Sequence, residues 1–303
     1  MTSFEQAREA ILQSVEPAGV ERVQLLDAAG RVIAADFLAP WDLPRLDKSA
    51  MDGFAVRSAD CAPDVTLSVT DYIPAGSLPH GPVAAGCAAR IMTGAPIPPD
   101  ADAVIPLEET DAPHGAKPTP GQTWEMGTVT LRNTVQSGAH IRSKGSEVAA
   151  GERIIGKGAL LGPQEIGLLA SFGRAMVPVY RKPRVAIVST GDELVELGTA
   201  PKGNEIFNSN SFSLAAAVQL CGAKPVLVGI ARDNSESHRA LLSEGLQADV
   251  LITSAGVSAG DRDLVRETLA TLGVEERFWK VAIRPGGGTA FGVKGKVPVF
   301  SLP

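Results

Sequence analysis

Apolar and polar positions follow different periods along this chain, and the changes of period divide it into regions. In residues 1–17, MTSFEQAREAILQSVEP, apolar positions recur at helical spacing, and Ser3 and Gln6 have the spacing of a capping box. Residues 25–40, LLDAAGRVIAADFLAP, predict a second helix that runs into an extended exit. The chain is therefore expected to begin with a small helical region.

The pattern then changes to short apolar runs separated by glycine and proline, from about Asp47 to Ser137. VTLSVTDYI, AARIMTG, DAVIPLEE and TWEMGTVTLRN are runs of this kind, which are typical of a small β-rich domain. Residues 139–178 contain further β-like pieces and one helix, where Pro163 suits the first turn and Gly173 suits the C-terminal cap. This stretch is interpreted as a connector.

From Arg181 onward, strand and helix patterns alternate most clearly. Strands RVAIVST, PVLVGIA and DVLITSAG alternate with helices SFSLAAAVQLCG, SESHRALLSEGLQ and DLVRETLATLG, and strands FWKVAI and VPVF follow. Such alternation predicts a mostly parallel sheet with right-handed crossovers. The fold class expected for the whole chain is a multidomain α/β protein.

Composition narrows the classes of function. The 303 residues are 44% hydrophobic, and 28 Lys and Arg against 34 Asp and Glu give a net charge of −6. Such a charge does not favour nucleic acid or an anionic membrane as partner. The beginning lacks the features of a signal peptide, and no run approaches the ~20 apolar residues of a membrane span. Three scattered cysteines predict neither a disulfide framework nor a zinc site, and the cytoplasm is the expected compartment.

Acidic residues follow three strands of the predicted parallel sheet. The strands run into Thr190–Glu193, Asp233–Asn234 and residues 254–263, and the carboxyl ends of parallel strands meet at one edge. Carboxylates without histidine or thiolate partners suit Mg²⁺. The alternative is helix capping, which is equally plausible for Asp192, Asp233 and Asp261. Capping explains Glu193 and Asp263 less well.

The segment SAGVSAGD, residues 254–261, places small residues at a strand-to-helix turn, where backbone amides can bind a phosphate. A tight turn without a ligand is an equal alternative. Gly256, Ser258 and Gly260 also match the GxSxG nucleophile elbow of serine hydrolases. That class requires a later histidine, and the last histidine, His238, precedes Ser258. A hydrolase is therefore a remote alternative.

Two cations precede a glycine run near the end of the chain. Lys280 and Arg284 are followed by Gly286, Gly287 and Gly288, and glycine lets a ligand approach the backbone closely. Both side chains could bind phosphate or another oxyanion. From spacing alone, two solvated charges at a strand end are an equal alternative.

Several motifs in this sequence resemble one family. WDLPRLDKSAMDGFAVR, residues 41–57, and IMTGAPIPPDADAVIPLEET, residues 91–110, are similar to two long motifs of molybdopterin molybdenumtransferases and the E domain of gephyrin. IRSKGSEVAAGE, STGDEL, NSNS, GIARDN and TSAGVSAGDRD follow in the family's order. The resemblance spans nearly the whole chain.

The resemblance implies an elongated homodimer. Its subunits have a linker domain (residues 1–46 and 138–180), an inserted β-rich domain (47–137), an α/β molybdopterin-binding domain (181–303) and a C-terminal β-barrel, which this chain is expected to lack. The implied reaction is Mg²⁺-assisted insertion of molybdate into molybdopterin-AMP with release of AMP. It takes place in a cleft between the α/β domain of one subunit and the β-rich domain of the other. The molybdopterin adenylyltransferase is an implied partner.

The resemblance also assigns site residues. Asp52 and Thr93 are expected on the β-rich side of the cleft. Four acidic residues are expected near metal and molybdate, and the last three of them as metal ligands: Glu147, Glu193, Asp233 and Asp263. Six residues are expected to bind the pterin nucleotide or the anions: Asn210, Gly256, Ser258, Gly260, Lys280 and Arg284.

The sequence departs from the family pattern at three places, which leaves alternatives to this assignment open. The family's KPGKP is replaced by Arg284-Pro285-Gly286-Gly287-Gly288, which exchanges one cation and loses another. Lys48 replaces an Asn four positions before Asp52. The sequence reaches Pro303 where the family continues. Two alternatives therefore stay open: a fragment that binds molybdopterin without turnover, and a gephyrin-like scaffold.

Overall fold

The computed structural model of the protein describes residues 1–112, 127–254 and 264–303. The chain divides into two compact units. Unit 1 contains Met1–Ala35 and Lys157–Pro303, and unit 2 contains Asp36–Gly156. The three domain boundaries expected above stay a prediction. None of the helices described is long and apolar enough to cross a membrane.

The described residues form five α-helices, each between eight and twelve residues long. They are α1 (Phe4–Ser14), α2 (Pro163–Ser171), α3 (Ser209–Leu220), α4 (Ser235–Gly245) and α5 (Leu264–Thr271).

The strands of the same residues are short, and only β5 and β15 reach eight residues. In chain order they are β1 (Val20–Gln24), β2 (Phe37–Leu38), β3 (Lys48–Ser49), β4 (Gly53–Val56), β5 (Thr66–Ile73), β6 (Cys87–Ile91), β7 (Ala103–Pro106), β8 (Thr128–Thr130), β9 (Ile141–Arg142), β10 (Arg153–Ile155), β11 (Met176–Tyr180), β12 (Arg184–Thr190), β13 (Leu194–Val195), β14 (Ile206–Phe207), β15 (Lys224–Ala231), β16 (Val250–Ser254), β17 (Glu275–Trp279), β18 (Ala290–Lys294) and β19 (Val297–Leu302).

Helix α1 begins with the predicted capping box. The Ser3 hydroxyl accepts the Gln6 amide at 3.1 Å, and the Gln6 side chain accepts the Ser3 amide at 3.1 Å. The buried Ala7 of α1 packs against Phe278 and Phe291, so the first helix joins the core of the last part of the chain. The helix is thereby stabilised by tertiary packing as well as by its cap.

The second predicted helix is wrong. Residues 25–40 contain one turn of 3-10 helix, Leu26–Ala28, which ends where Gly30 adopts φ 71°. The apolar positions that suggest a helix serve isolated β-bridges instead, because Val32 pairs with Leu160 and Ile33 with Val179. Long-range pairing in unit 1 outweighs the local helical preference here.

Unit 1 is built around a six-stranded sheet with the order β15-β12-β16-β19-β18-β17. The first four strands are parallel, as predicted, whereas β17 and β18 pair antiparallel. Strand β18 was not predicted, because TAFGVK gives only a short apolar run between glycines. Helices α4 and α5 bury Leu242 and Leu269 against one face of the sheet, together with Leu246, which directly follows α4.

Unit 2 contains a five-stranded sheet with the order β7-β4-β6-β5-β8. Strand β4 is central: Phe54 pairs with Arg90 of β6 on one side and Ile105 of β7 on the other. Each face of the sheet has its own apolar cluster, one around Phe54 and Leu67 and the other around Ile73 and Ile91. The β-rich pattern of this region is confirmed.

We expect Asp249→Asn to lower the free energy of unfolding at neutral pH by about 1 kcal/mol, a value reduced for partial exposure of the ion pair. Arg181 donates two hydrogen bonds of 2.7 Å to the Asp249 carboxylate and, with the Arg184 amide, holds the pKa of Asp249 below its usual value. Because the folded pKa is depressed, the stabilisation is present above the unfolded pKa and disappears as pH falls through the folded pKa.

Urea denaturation of Asp249→Asn and wild type, repeated from neutral pH to below about pH 4, measures this difference. Asp27→Asn, a change at an exposed aspartate of the 3-10 turn, is the matched control. A difference that stayed constant down to the acid end of the series would contradict the assigned role of the carboxylate charge.

Candidate functional site

Asp52 and Thr93 are brought together at one end of the five-stranded sheet of unit 2. Asp52 directly precedes β4, and Thr93 follows β6, the antiparallel neighbour of β4. One oxygen of the Asp52 carboxylate, Oδ1, accepts both the Thr93 amide and the Thr93 hydroxyl, each at 2.7 Å. Both residues are exposed. Two motifs far apart in sequence therefore meet in one hydrogen-bonded pair.

Gly53 explains how Asp52 is placed there. A Cβ atom at Gly53 would lie 2.0 Å from the Ile105 carbonyl oxygen and 3.1 Å from the Pro106 Cα atom, both in the backbone of β7. Only glycine lets β4 approach β7 this closely. The close packing of β4 against β7 thus fixes Gly53, the residue that directly follows Asp52.

Glu147 lies between β9 and β10 and is exposed. Its carboxylate is 3.9 Å from Arg142, in an ion pair whose side chains are both 60% exposed. Lys144, the second cation of this loop, is 3.4 Å from Asp42. The basic spot formed by Arg142 and Lys144 therefore faces carboxylates, and pairs this exposed contribute little to stability.

In unit 1, three acidic residues follow neighbouring strands; we call Asp192, Glu193 and Asp233 the acidic rim. Asp192 and Glu193 come after β12, and Asp233 comes after β15, which pairs with β12. The Asp192 carboxylate accepts the Asp233 backbone amide at 3.1 Å. The two strand exits are therefore linked by a charge-assisted hydrogen bond.

Arg232 strengthens this link. One nitrogen of its guanidinium, Nη1, lies 3.3 Å from the carbonyl oxygen of Gly191, 3.1 Å from that of Asp192 and 3.0 Å from that of Leu194. These carbonyls belong to the loop that carries Glu193. Arg232 therefore fixes the backbone of one acidic loop from the start of the other.

Helix capping, the alternative for the aspartates of the acidic rim, is wrong. Helix α3 is capped by Asn208, whose side chain accepts the Ser211 amide at 3.4 Å. Helix α4 is capped by Asn234, whose side chain accepts the Ser237 amide at 2.8 Å. Asp192 and Asp233 are left with exposed carboxylates. Asp261 lies outside the described residues.

The predicted metal ligands are only partly described. Glu193 and Asp233 are exposed at adjacent strand exits, and Asp263 lies outside the described residues. Across residues 1–112, 127–254 and 264–303, no group of three or more His, Cys, Asp and Glu side chains is arranged to hold a metal ion. The chemistry of the two described ligands, hard carboxylate oxygens, fits Mg²⁺. The three-residue site stays a prediction.

The predicted substrate-binding residues separate into two groups. Gly256, Ser258 and Gly260 lie outside the described residues, together with the nucleophile-elbow motif. Asn210, in the first turn of α3, donates to the Ser254 hydroxyl at 3.3 Å. Because Ser254 is the last residue of β16, Asn210 contacts the strand that leads into the predicted phosphate cradle.

Lys280 follows β17 in a left-handed conformation, with φ 69°. Its ammonium lies 4.2 Å from the centre of the Trp279 ring, and the guanidinium of Arg266 lies 4.3 Å from the same ring. Arg284 is exposed just before the glycine run. In that run a Cβ at Gly287 would lie 3.0 Å from the Ile283 carbonyl, so the glycines also serve tight backbone packing.

Sequence reasoning missed two arginines. No sequence pattern identifies Arg232, because its partners are backbone carbonyls. Arg90 stands inside the apolar run AARIM and is only 3% exposed. A charge within an otherwise buried strand is an unusual signal, which could have marked Arg90 as a residue with a specific electrostatic role.

Two protein-family models cover most of the chain. Residues 2–173 match the MoeA N-terminal region (domain I and II), and residues 186–303 match the "Probable molybdopterin binding domain". With the α/β fold of unit 1 and the β-rich unit 2, these matches define a MoeA-type protein of molybdenum cofactor biosynthesis.

Individual relatives of known name support this assignment. The chain is 37% identical to a molybdopterin molybdenumtransferase of Haemophilus influenzae, over 96% of this chain and 70% of that protein. It is 36% identical to molybdopterin molybdenumtransferase 2 of Mycobacterium tuberculosis, over 100% of this chain and 75% of that protein. The crystal structure of a MoeA protein from Pyrococcus horikoshii superimposes with a TM-score of 0.86 at 33% identity, covering 100% of this chain and 74% of that one. This chain belongs to the molybdopterin molybdenumtransferase family, a family of transferases.

Proposed function

We propose that this protein inserts molybdate into adenylylated molybdopterin and releases AMP, with Mg²⁺ as the assisting cation. The observation that carries the proposal is the Asp52–Thr93 pair, in which residues from two family motifs form hydrogen bonds of 2.7 Å. Membership of the transferase family supports the reaction class. A serine hydrolase that uses Ser258 is not supported by the family match.

Asp52 is proposed as the acid–base group. Thr93 uses both of its donors on Oδ1, so the carboxylate has a fixed orientation at the surface of unit 2. A carboxylate that is held in this way can accept and return a proton at a defined point, which is the requirement for general acid–base catalysis. Thr93 is a positioning residue in this scheme.

Glu193 and Asp233, with Asp263, are proposed to hold Mg²⁺, and Glu147 is proposed near the molybdate. Mg²⁺ held by these carboxylates would supply polarisation of the phosphoanhydride and neutralisation of the charge on the leaving AMP. Asp192 and Arg232 position the two loops through the contacts described above. Hard carboxylate ligands at exposed strand exits suit this role.

Anion binding is proposed for the remaining residues. Lys280 and Arg284 are local cations in a chain with a net charge of −6, which has no general attraction for anionic substrates. Ser258 and the glycines at 256 and 260 are proposed to bind phosphate through backbone amides. Asn210, which contacts the exit of β16, is proposed to orient the nucleotide.

We also propose that the protein is a homodimer in a reducing cytoplasm and that it receives its substrate from the adenylyltransferase. Free thiols support the compartment: Cys61, Cys87 and Cys221 are unpaired. Burial raises the pKa of the Cys61 thiol to about 11, which keeps it protonated.

Sedimentation of the purified chain tests the proposed homodimer.

Removing the divalent cation is expected to abolish AMP release. Purified protein is incubated with molybdopterin-AMP and molybdate, and AMP is quantified with Mg²⁺, after chelation, and after Mg²⁺ is restored. Carboxylates alone cannot neutralise the leaving group, so we expect a fall of at least about 100-fold on chelation and full recovery afterwards. Undiminished release in chelator would exclude the cation from the reaction.

The same assay distinguishes the proposed transferase from the alternative, a protein that binds the pterin nucleotide without turnover. If no AMP appears with Mg²⁺ while the pterin nucleotide still binds, as measured by equilibrium dialysis, the transferase proposal fails and the binding role remains. A nucleotide that neither binds nor reacts would exclude both.

A further inference from the structure

Arg90 is a buried cation in the middle of the unit 2 sheet. It lies on β6, is 3% exposed, and pairs with Phe54 of β4 on one side and Tyr72 of β5 on the other. Its guanidinium lies 5.2 Å from the centre of the Phe54 ring. Ala88, the next residue of β6 on the same face, belongs to the apolar cluster around Phe54. Arginine is rarely this buried without a specific electrostatic role.

The position of Asp52 makes it the natural counter-charge. Alternate residues of a strand share a face, so Asp52, which precedes β4, continues the face of Phe54. Since Phe54 is directly opposite Arg90, Asp52 is the diagonal neighbour of Arg90 across the two strands. Diagonal positions lie about 7–8 Å apart, within reach of an arginine side chain.

The electrostatics of Arg90 agree with this geometry. Desolvation by burial lowers the pKa of its guanidinium, and electrostatic interactions with Tyr72 and Asp52 oppose that effect. Coupling between two charges is reciprocal, so a carboxylate that stabilises the buried cation is itself stabilised as an anion. Strand β6 thus carries Arg90 and leads directly into Thr93, the hydrogen-bond donor to Asp52.

We propose that Arg90 is a positioning residue for Asp52, whose buried guanidinium holds the carboxylate as an anion in the orientation fixed by Thr93. Any effect of Arg90 on catalysis through Asp52 rests on the proposed function. The coupling of the two charges is a property of unit 2 alone and is measured without substrate.

Replacing Arg90 by methionine is expected to raise the pKa of Asp52 by about one pH unit, because the variant keeps the apolar length and loses the cation. The measurement is a ¹³C NMR titration of protein labelled at the aspartate carboxyl carbons, with the Asp52 signal assigned by its absence in Asp52→Asn. Arg90→Lys retains the charge and is expected to titrate close to wild type.

Other charges near Asp52 are unchanged in these variants. The titratable groups on the neighbouring elements include Lys48 of β3, Asp71 and Tyr72 of β5, and Glu108 and Glu109 of the turn after β7. Arg57→Met, which removes a charge from the opposite end of β4, is the control for a change of net charge alone. It is about 16 Å along the strand from Asp52, beyond the screening length at physiological salt. We expect no change in the Asp52 pKa in this control.

An unchanged Asp52 pKa in folded Arg90→Met, or an equal shift in Arg57→Met, would overturn the proposal. If Arg90→Met does not fold, Asp52→Asn provides the test, because asparagine keeps an oxygen for Thr93 and removes only the charge. A melting temperature of Asp52→Asn below that of wild type at neutral pH, with no difference under acid conditions, supports the coupling of the two charges. Equal melting temperatures of the variant and wild type at both pH values refute it. Absence of AMP release by the wild type would count against the proposed function and leave this titration unaffected.

Discussion

Gly53→Ala is expected to lower the free energy of unfolding of unit 2 by roughly 3 kcal/mol. The added methyl group would lie 2.0 Å from the Ile105 carbonyl oxygen, far closer than any non-bonded carbon and oxygen can approach. Relief requires β4 and β7 to separate, which weakens the pairing of Phe54 with Ile105. A flexible side chain could move aside, whereas the backbones of two paired strands cannot separate at low cost.

Hydrogen exchange of the amides of β4, β6 and β7, together with circular-dichroism melting, measures this loss for unit 2 separately from unit 1. Gly81→Ala is the matched control, because a Cβ there meets no atom within 4 Å. If both variants retained wild-type protection, the tight approach of β4 to β7 would not contribute to stability.

Asp52→Ala is expected to reduce the rate of AMP release by at least about 100-fold, the usual contribution of a positioned acid–base group. Because Asp52 is exposed, the melting temperature should change much less than in Gly53→Ala. The loss should appear in kcat more than in KM, since the carboxylate is proposed to act on the reacting atoms. Initial rates at saturating molybdate, with molybdopterin-AMP varied, give both constants.

Two further variants identify the cause of that loss. Thr93→Val removes the hydroxyl donor to Asp52 and keeps the amide donor, so an intermediate loss of rate is expected. Asp27→Ala removes an exposed carboxylate from unit 1 and should retain the wild-type rate. An Asp52→Ala variant that released AMP as fast as Asp27→Ala would remove Asp52 from the mechanism.

The sequence predicted the α/β part of unit 1 well because local and tertiary preferences agree there. RVAIVST is a continuous apolar run, and Val185, Ala186, Ile187 and Val188 are all buried in β12. The capping box of α1 was equally local, since all its groups lie within four residues. The second helix failed because the partners of Val32 and Ile33 are more than a hundred residues away.

In the candidate site, too, some features could be predicted from the sequence and others could not. The meeting of strand exits follows from the parallel topology, so the position of the acidic rim could be anticipated. Which residue caps α4 could not be anticipated, because Asn234 competes with the adjacent Asp233, which has the same capping ability. Asn208, which caps α3, lies directly before that helix, whereas Asp192 is separated from it by β13 and β14. The buried contacts Ser189–Asn208 and Ser189–Ser211 likewise join residues that no spacing rule relates.

The insertion of unit 2 between Ala35 and Lys157 has a consequence for synthesis on the ribosome. All of unit 2 has been translated before the main sheet of unit 1 begins, so unit 2 can fold as the chain emerges. Helix α1 is made before unit 2, yet its packing partners Phe278 and Phe291 are made after it. Helix α1 must therefore wait, with Ala7 and Ile11 unburied, until all of unit 2 and most of the main sheet of unit 1 have been translated.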